Sequence, residues 1–140
     1  MTPTLPQVTI YVDGACFPNP GDAGIGAVLI FGERRKELSQ PIGRATSNGA
    51  EIMAAVTALR ALTKPCCVTL YSDSQYVIQT MNGKFQRGSN LALWVLLDQA
   101  AAAHEVEWVW VRGHNGDLNN ERAHVLAEQA IRLNETEALF

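Results

Sequence analysis

The 140-residue chain is 47% hydrophobic with a formal net charge of −3; this suits one globular domain over residues 1–140 and argues against a protein that grips nucleic acid through a broad cationic surface. No apolar run is long enough to span a bilayer, and MTPTLPQ has neither the basic nor the apolar region of a secretory signal, so a cytoplasmic location is expected. The three cysteines, Cys16, Cys66 and Cys67, lack C-x-x-C spacing and fit neither a disulfide framework nor a zinc knuckle.

In chain order, QVTIYVDG (residues 7–14) alternates apolar and polar positions and ends in Asp-Gly, which predicts a strand entering a turn. GIGAVLIFG and RRKELSQPIG predict two more strands, joined by a hairpin at Phe31-Gly32-Glu33-Arg34, so the chain opens as an antiparallel meander. Over residues 48–62, Ile52, Val56, Leu59 and Leu62 recur at helical spacing. Asn48 and Glu51 resemble a capping pair at its start, and Lys64-Pro65 stops it. CVTLYSD (67–73) predicts a fourth strand, SQYVIQTM a short helix closed by Asn82-Gly83, and LALWVLLDQAAAA a strongly apolar helix. VEWVWVRG predicts a fifth strand and NERAHVLAEQAIRL a closing amphipathic helix; residues 1–6 and 134–140 are expected to be loosely ordered. The order βββαβααβα implies an α/β fold, a mixed sheet flanked by helices, because strand–helix–strand crossovers place neighbouring strands parallel.

Two acids end strands in this scheme. Asp13 closes the first and Asp73 the fourth, at the carboxyl edge where open α/β sheets form ligand crevices. Glu51, expected in the first turn of the helix after the meander, can reach the same edge. Taken singly, Asp13 also fits a turn residue, Glu51 a helix-start residue and Asp73 an N-cap. Together they form a cluster that like-charge repulsion forbids unless protons or cations intervene. Hard oxygen ligands favour Mg²⁺ or Mn²⁺, and two such ions suit phosphodiester hydrolysis.

YVDGACFPNPGDAGIGAVL, TSNGAEIMAAVTALRAL, LYSDSQYVIQ and EWVWVRGHNGDLNNERAHVLAEQA together resemble type 1 ribonuclease H, in that family's order and separations and over nearly the whole chain. The resemblance implies a ribonuclease H-like fold, with a mixed five-stranded sheet and helices on both sides. It also implies two-metal hydrolysis of the RNA strand of RNA–DNA hybrids, giving 5′-phosphate and 3′-hydroxyl ends. Position by position it makes Asp13, Glu51 and Asp73 metal-binding acids and His114 the loop histidine that assists protonation or release. Gly14, Asn19, Ser47, Asn48, Gln75 and Gln79 become contacts to sugar and phosphate in the minor groove. Asn48 fits a helix cap equally well, and Asn19, between two prolines, a turn. No obligate protein partner is evident, and a monomer is expected.

The chain departs from the family twice. The Lys- and Arg-rich protrusion of some members is replaced by NGKFQRGSN, whose only cations are Lys84 and Arg87, so weaker hybrid affinity and a shallower salt dependence are expected. His124 stands where the family has its fourth metal-site aspartate, turning DEDD into DEDH. A neutral imidazole, favoured near a helix N-terminus, can ligate a metal and would shift preference toward Mn²⁺. The alternatives are a partly exposed helix residue without a metal role, and a hybrid-binding module that has lost turnover. His104 reads as a dipole partner at a helix end, Phe85 as a stacking residue or loop anchor, and Trp94, Trp108 and Trp110 as core and sheet-face aromatics.

Overall fold

The computed structural model describes residues 4–113 and 116–138. Its elements are β1 (Gln7–Phe17), β2 (Gly21–Phe31), β3 (Arg34–Ala45), α1 (Ser47–Arg60), β4 (Cys67–Ser72), α2 (Gln75–Met81), α3 (Leu91–Ala101), β5 (Glu105–Trp110) and α4 (Leu118–Ala138). The five strands form one sheet in the order β3-β2-β1-β4-β5. The β1–β2 and β2–β3 pairs are antiparallel, and β1–β4 and β4–β5 are parallel. The mixed sheet expected from element order is therefore present, and among the described residues no helix is long and apolar enough to cross a membrane.

Alternation along the strands sorts their side chains between two layers. Val8, Ile10 and Val12 of β1 and Ile25, Ala27 and Leu29 of β2 join α1 and α3 residues, including Ile52, Val56, Leu59, Trp94 and Leu97, in one buried cluster. The intervening β2 positions, Gly24 and Gly26, face α4. A Cβ at Gly26 would lie 2.0 Å from the Ala123 carbonyl oxygen and 2.6 Å from the Ala127 nitrogen. The helix backbone thus rests directly on the strand, with Ala123, Ala127 and Ala130 of α4 all buried in the seam. Because both faces of β2 are covered, its apolar run is nearly continuous rather than alternating.

The structure moves several boundaries. β1 continues through Phe17, and β2 starts at Gly21. Helix α1 is capped by Thr46, whose hydroxyl accepts the Gly49 N–H at 3.0 Å. The Asn48–Glu51 pair is not the cap, because Thr46, extended at the end of β3, reaches the same orphan donors first. Glu51 consequently sits in the second turn, and the first holds no acid. At the other end, α4 is helical through Ala138, past the amphipathic segment visible in sequence. Its start is capped by Asp117, whose Oδ1 accepts the N–H groups of Asn119 and Asn120, each at 3.0 Å.

The tryptophans are structural. Trp94 is 1% exposed and donates its indole N–H to the Ser89 carbonyl, while Trp108 and Trp110 pack against the main cluster. His104 is more than a dipole partner: its Nδ1 accepts the Cys66 N–H at 3.0 Å and ties the end of α3 to the start of β4.

Candidate active site

Register brings the acids together. β1 and β4 run parallel with Val12 opposite Ser72, so the next residue on each strand, Asp13 and Asp73, emerges at the same edge. Ser74 caps α2 through the Val77 N–H, leaving the Asp73 carboxylate free of that duty. Trp110 donates its indole N–H to the Asp73 carbonyl at 3.2 Å, fixing the strand end from β5. A Cβ at Gly113 would stand 2.9 Å from Asp73 Oδ2.

Glu51 arrives from α1, which approaches β1 at Gly14. A Cβ at Gly14 would lie 2.3 Å from the Ala50 carbonyl carbon and 2.6 Å from the Glu51 nitrogen, so only glycine admits this contact. The Gly14 N–H donates to Glu51 Oε1. Asp13, Glu51 and Asp73 each present a carboxylate oxygen within 4.8 Å of the others, and Asp13 is only 4% exposed. Burial, then the charge of Asp13 and its hydrogen bond, then Asp73, push the Glu51 carboxyl well above its ordinary range. Burial, and next the Asp13 charge, raise Asp73, with His124 pulling the other way. Three hard-oxygen donors whose anionic forms resist crowding are what a divalent cation relieves.

His124 lies beside this cluster. Its Nδ1 is 2.7 Å from Asp13 Oδ2 and its Nε2 is 2.8 Å from Glu128 Oε1. Burial disfavours the imidazolium, but the hydrogen bond to Asp13 and the charges of Asp13, Glu128 and Asp73 outweigh it, so the ring's pKa is raised. The shift runs opposite to the lowering expected from a helix N-terminus. His124 is in the second turn of α4, and acids in direct contact outweigh the partial charge of a helix end.

The six expected hybrid contacts divide. Asn19, Ser47 and Asn48 line one groove of about 430 Å³ with Thr46, Ser89 and Asn90. Within it Asn19 Oδ1 accepts the Ser47 N–H at 3.1 Å and the Cys16 thiol at 3.6 Å. Gln75 is exposed and Gln79 half-buried on α2, and the Gln79 Oε1 has no hydrogen-bond partner. Gly14 donates its N–H to Glu51. His114 lies outside the described residues.

Further residues border these grooves or the connection beside them. Ser89 and Asn90 read in the sequence as a loop before an apolar helix, although a Ser-Asn pair at a helix start is a recognisable signal. Glu128, four residues after His124, was readable as a same-face pair. Arg87 belongs to a different task from the one its charge suggested: it grips Asp98 with two hydrogen bonds of 2.6 and 2.9 Å and lies 5.4 Å over the Trp94 ring. Of the two cations in the shortened connection, Lys84 alone has no such anchor among the described contacts.

Comparison with known proteins agrees with the fold that carries this site. Residues 6–132 match the RNase H family model. The ribonuclease H of Bradyrhizobium diazoefficiens is 49% identical, with 91% of each chain covered. Among solved structures, LC9-RNase H1, described as a type 1 RNase H with the type 2 active-site motif, superposes with a TM-score of 0.81 at 29% identity, covering 94% of this chain and 74% of that one. LC11-RNase H1, solved in complex with an RNA/DNA hybrid, gives 0.78 at 25% identity, covering 91% and 98%.

Proposed function

Because the chain belongs to the ribonuclease H family as a type 1 member, we propose that it cleaves the RNA strand of RNA–DNA hybrids, leaving 5′-phosphate and 3′-hydroxyl ends. The observation that carries this reading is the convergence of Asp13, Glu51 and Asp73 within 4.8 Å at one sheet edge. Members of the family use divalent metal, and the donor set here fits Mg²⁺ or Mn²⁺: oxygen ligands, crowded, with carboxyl groups pushed toward protonation in its absence. Asp13, Glu51 and Asp73 would hold two such ions, with His124 as the candidate for the fourth ligand position. When bound, the ions supply an activated water and a stabilised leaving oxygen.

The chain's own groups account for the remaining work. The Gly14 N–H holds the Glu51 carboxylate toward the cluster, and Trp110 holds the strand end that presents Asp73. Asn19, Ser47 and Asn48 would contact sugar and phosphate from the groove beside the acids, with Gln75 and Gln79 extending the track along α2. Such groups read the 2′-hydroxyl of an RNA strand without reading base sequence. His114 would pass a proton to the leaving oxygen or aid release, as the resemblance implies.

A second reading, hybrid binding without turnover, is favoured by the 2.7 Å contact that already occupies an Asp13 oxygen with an imidazole. One experiment decides between them. An end-labelled hybrid is incubated with the chain in Mg²⁺ and in Mn²⁺, beside single-stranded RNA, duplex RNA and duplex DNA. Cleavage confined to the hybrid, and abolished in Asp13→Asn, is expected. Retention of the hybrid in a gel shift with no cleavage under either metal overturns the enzymatic reading in favour of the second.

A further inference from the structure

The two nitrogens of His124 are both held by carboxylates, Nδ1 by Asp13 at 2.7 Å and Nε2 by Glu128 at 2.8 Å. The ring has little choice of direction. Buried Ala123, Ala127 and Ala130 seat α4 on the glycines of β2, which turns His124 toward Asp13 and leaves Glu128 one helical turn further along. Glu128 borders a groove of about 520 Å³ with Cys16, Phe17, Ser47, His124 and Arg132, beside the acid cluster yet outside it.

A carboxylate oxygen and an imidazole lone pair do not approach to 2.7 Å without a positive centre between them. In the metal-free chain a proton can serve; in a loaded site a cation can. The far nitrogen decides whether the ring can present that lone pair at all, because a neutral imidazole carries its proton on one side only. Histidines that ligate metals commonly give their other N–H to a carboxylate, which fixes both tautomer and ring plane. Glu128 has the place and chemistry for that task. As a half-exposed group it adds little to stability, so its effect should be on orientation.

We propose that Glu128 is a positioning residue: by accepting the Nε2–H of His124 it directs Nδ1 at Asp13 as a nitrogen donor to the divalent cation seated there. The proposal rests on the reading that Asp13, Glu51 and Asp73 bind that cation.

The test is calorimetric titration of Mn²⁺ into the full chain without substrate, followed by hybrid cleavage in Mn²⁺. Glu128→Ala is expected to weaken Mn²⁺ binding by about 10- to 100-fold. Glu128→Gln, whose amide oxygen still accepts the Nε2–H, should lose less. In a His124→Ala background, Glu128→Ala should cause no further loss. In cleavage, kcat should fall with KM for the hybrid unchanged, because Glu128 acts on the cation and not on the duplex. Unchanged Mn²⁺ affinity in Glu128→Ala, or an equal loss with and without His124, overturns the proposal. Asp13→Asn separates the two levels. If it leaves Mn²⁺ binding intact, the metal-seating reading falls and takes this one with it; if it abolishes binding while Glu128→Ala is silent, only the role of Glu128 falls.

Discussion

Replacing Glu51 by Gln separates the cost of the acid cluster from its use. The three carboxylates lie within 4.8 Å of one another, and two full charges at that distance repel by about 3.5 kcal/mol at an effective dielectric of about 20. Burial, Asp13 and Asp73 raise the Glu51 carboxyl well above 4.5, so the folded chain holds its proton more tightly than the unfolded chain does. The stability contributed by that proton is complete below the unfolded value, near 4.5, and is lost as pH rises through the raised folded value. Glutamine keeps an acceptor for the Gly14 N–H and carries no charge. In EDTA, Glu51→Gln should therefore differ little from the parent at pH 4 and be more stable at pH 8. The expected gain is about 1–2 kcal/mol, or roughly 3–8 °C in Tm for a chain of this size, smaller than the Coulomb figure because the carboxyl can retain its proton. Thermal unfolding by circular dichroism at both pH values, with and without Mn²⁺, measures it. Mn²⁺ should raise the Tm of the parent much more than that of the variant, and hybrid cleavage should be lost. A lower Tm for Glu51→Gln at pH 8 without metal would refute the view that these acids are held against their repulsion.

Two further outcomes follow from the packing and the surface charge. In Gly26→Ala the new methyl meets α4 backbone at 2.0 and 2.6 Å, so the helix must shift as a body; a loss of about 3 kcal/mol and a Tm drop of roughly 10 °C are expected, with weakened cleavage as His124 moves from Asp13. A Tm within about 2 °C of the parent would show that the contact is not rigid. Arg87→Ala, measured by fluorescence anisotropy on a labelled hybrid in an Asp13→Asn background, should leave affinity and its salt dependence nearly unchanged, because Asp98 and Trp94 already hold that guanidinium. Lys84→Ala should instead make the log–log salt slope shallower by about 1. A shallower slope for Arg87→Ala would return that residue to the hybrid-binding surface.

Local patterns in the sequence determined the elements and their order. Alternation in QVTIYVDG, helical spacing from Ile52 to Leu59 and the turn at Gly32-Glu33 all depend on neighbours a few residues apart, and each appears in the fold near its expected place. The acid set was legible because strand ends are local features and the sheet rules place them at one edge. Tertiary structure decided the rest. Thr46 displaced Asn48 as the cap of α1 because the end of β3 delivered it there. Asp98 took Arg87 out of the basic surface from eleven residues away. The His124 pKa moves upward, opposite to the effect of a helix N-terminus, since its partner, Asp13, is 111 residues distant in sequence. Helix periodicity gave His124 its face but not its neighbour. That neighbour exists because glycines on β2 let the α4 backbone lie against the sheet, and close approach between distant segments is a property of packing that no local pattern encodes.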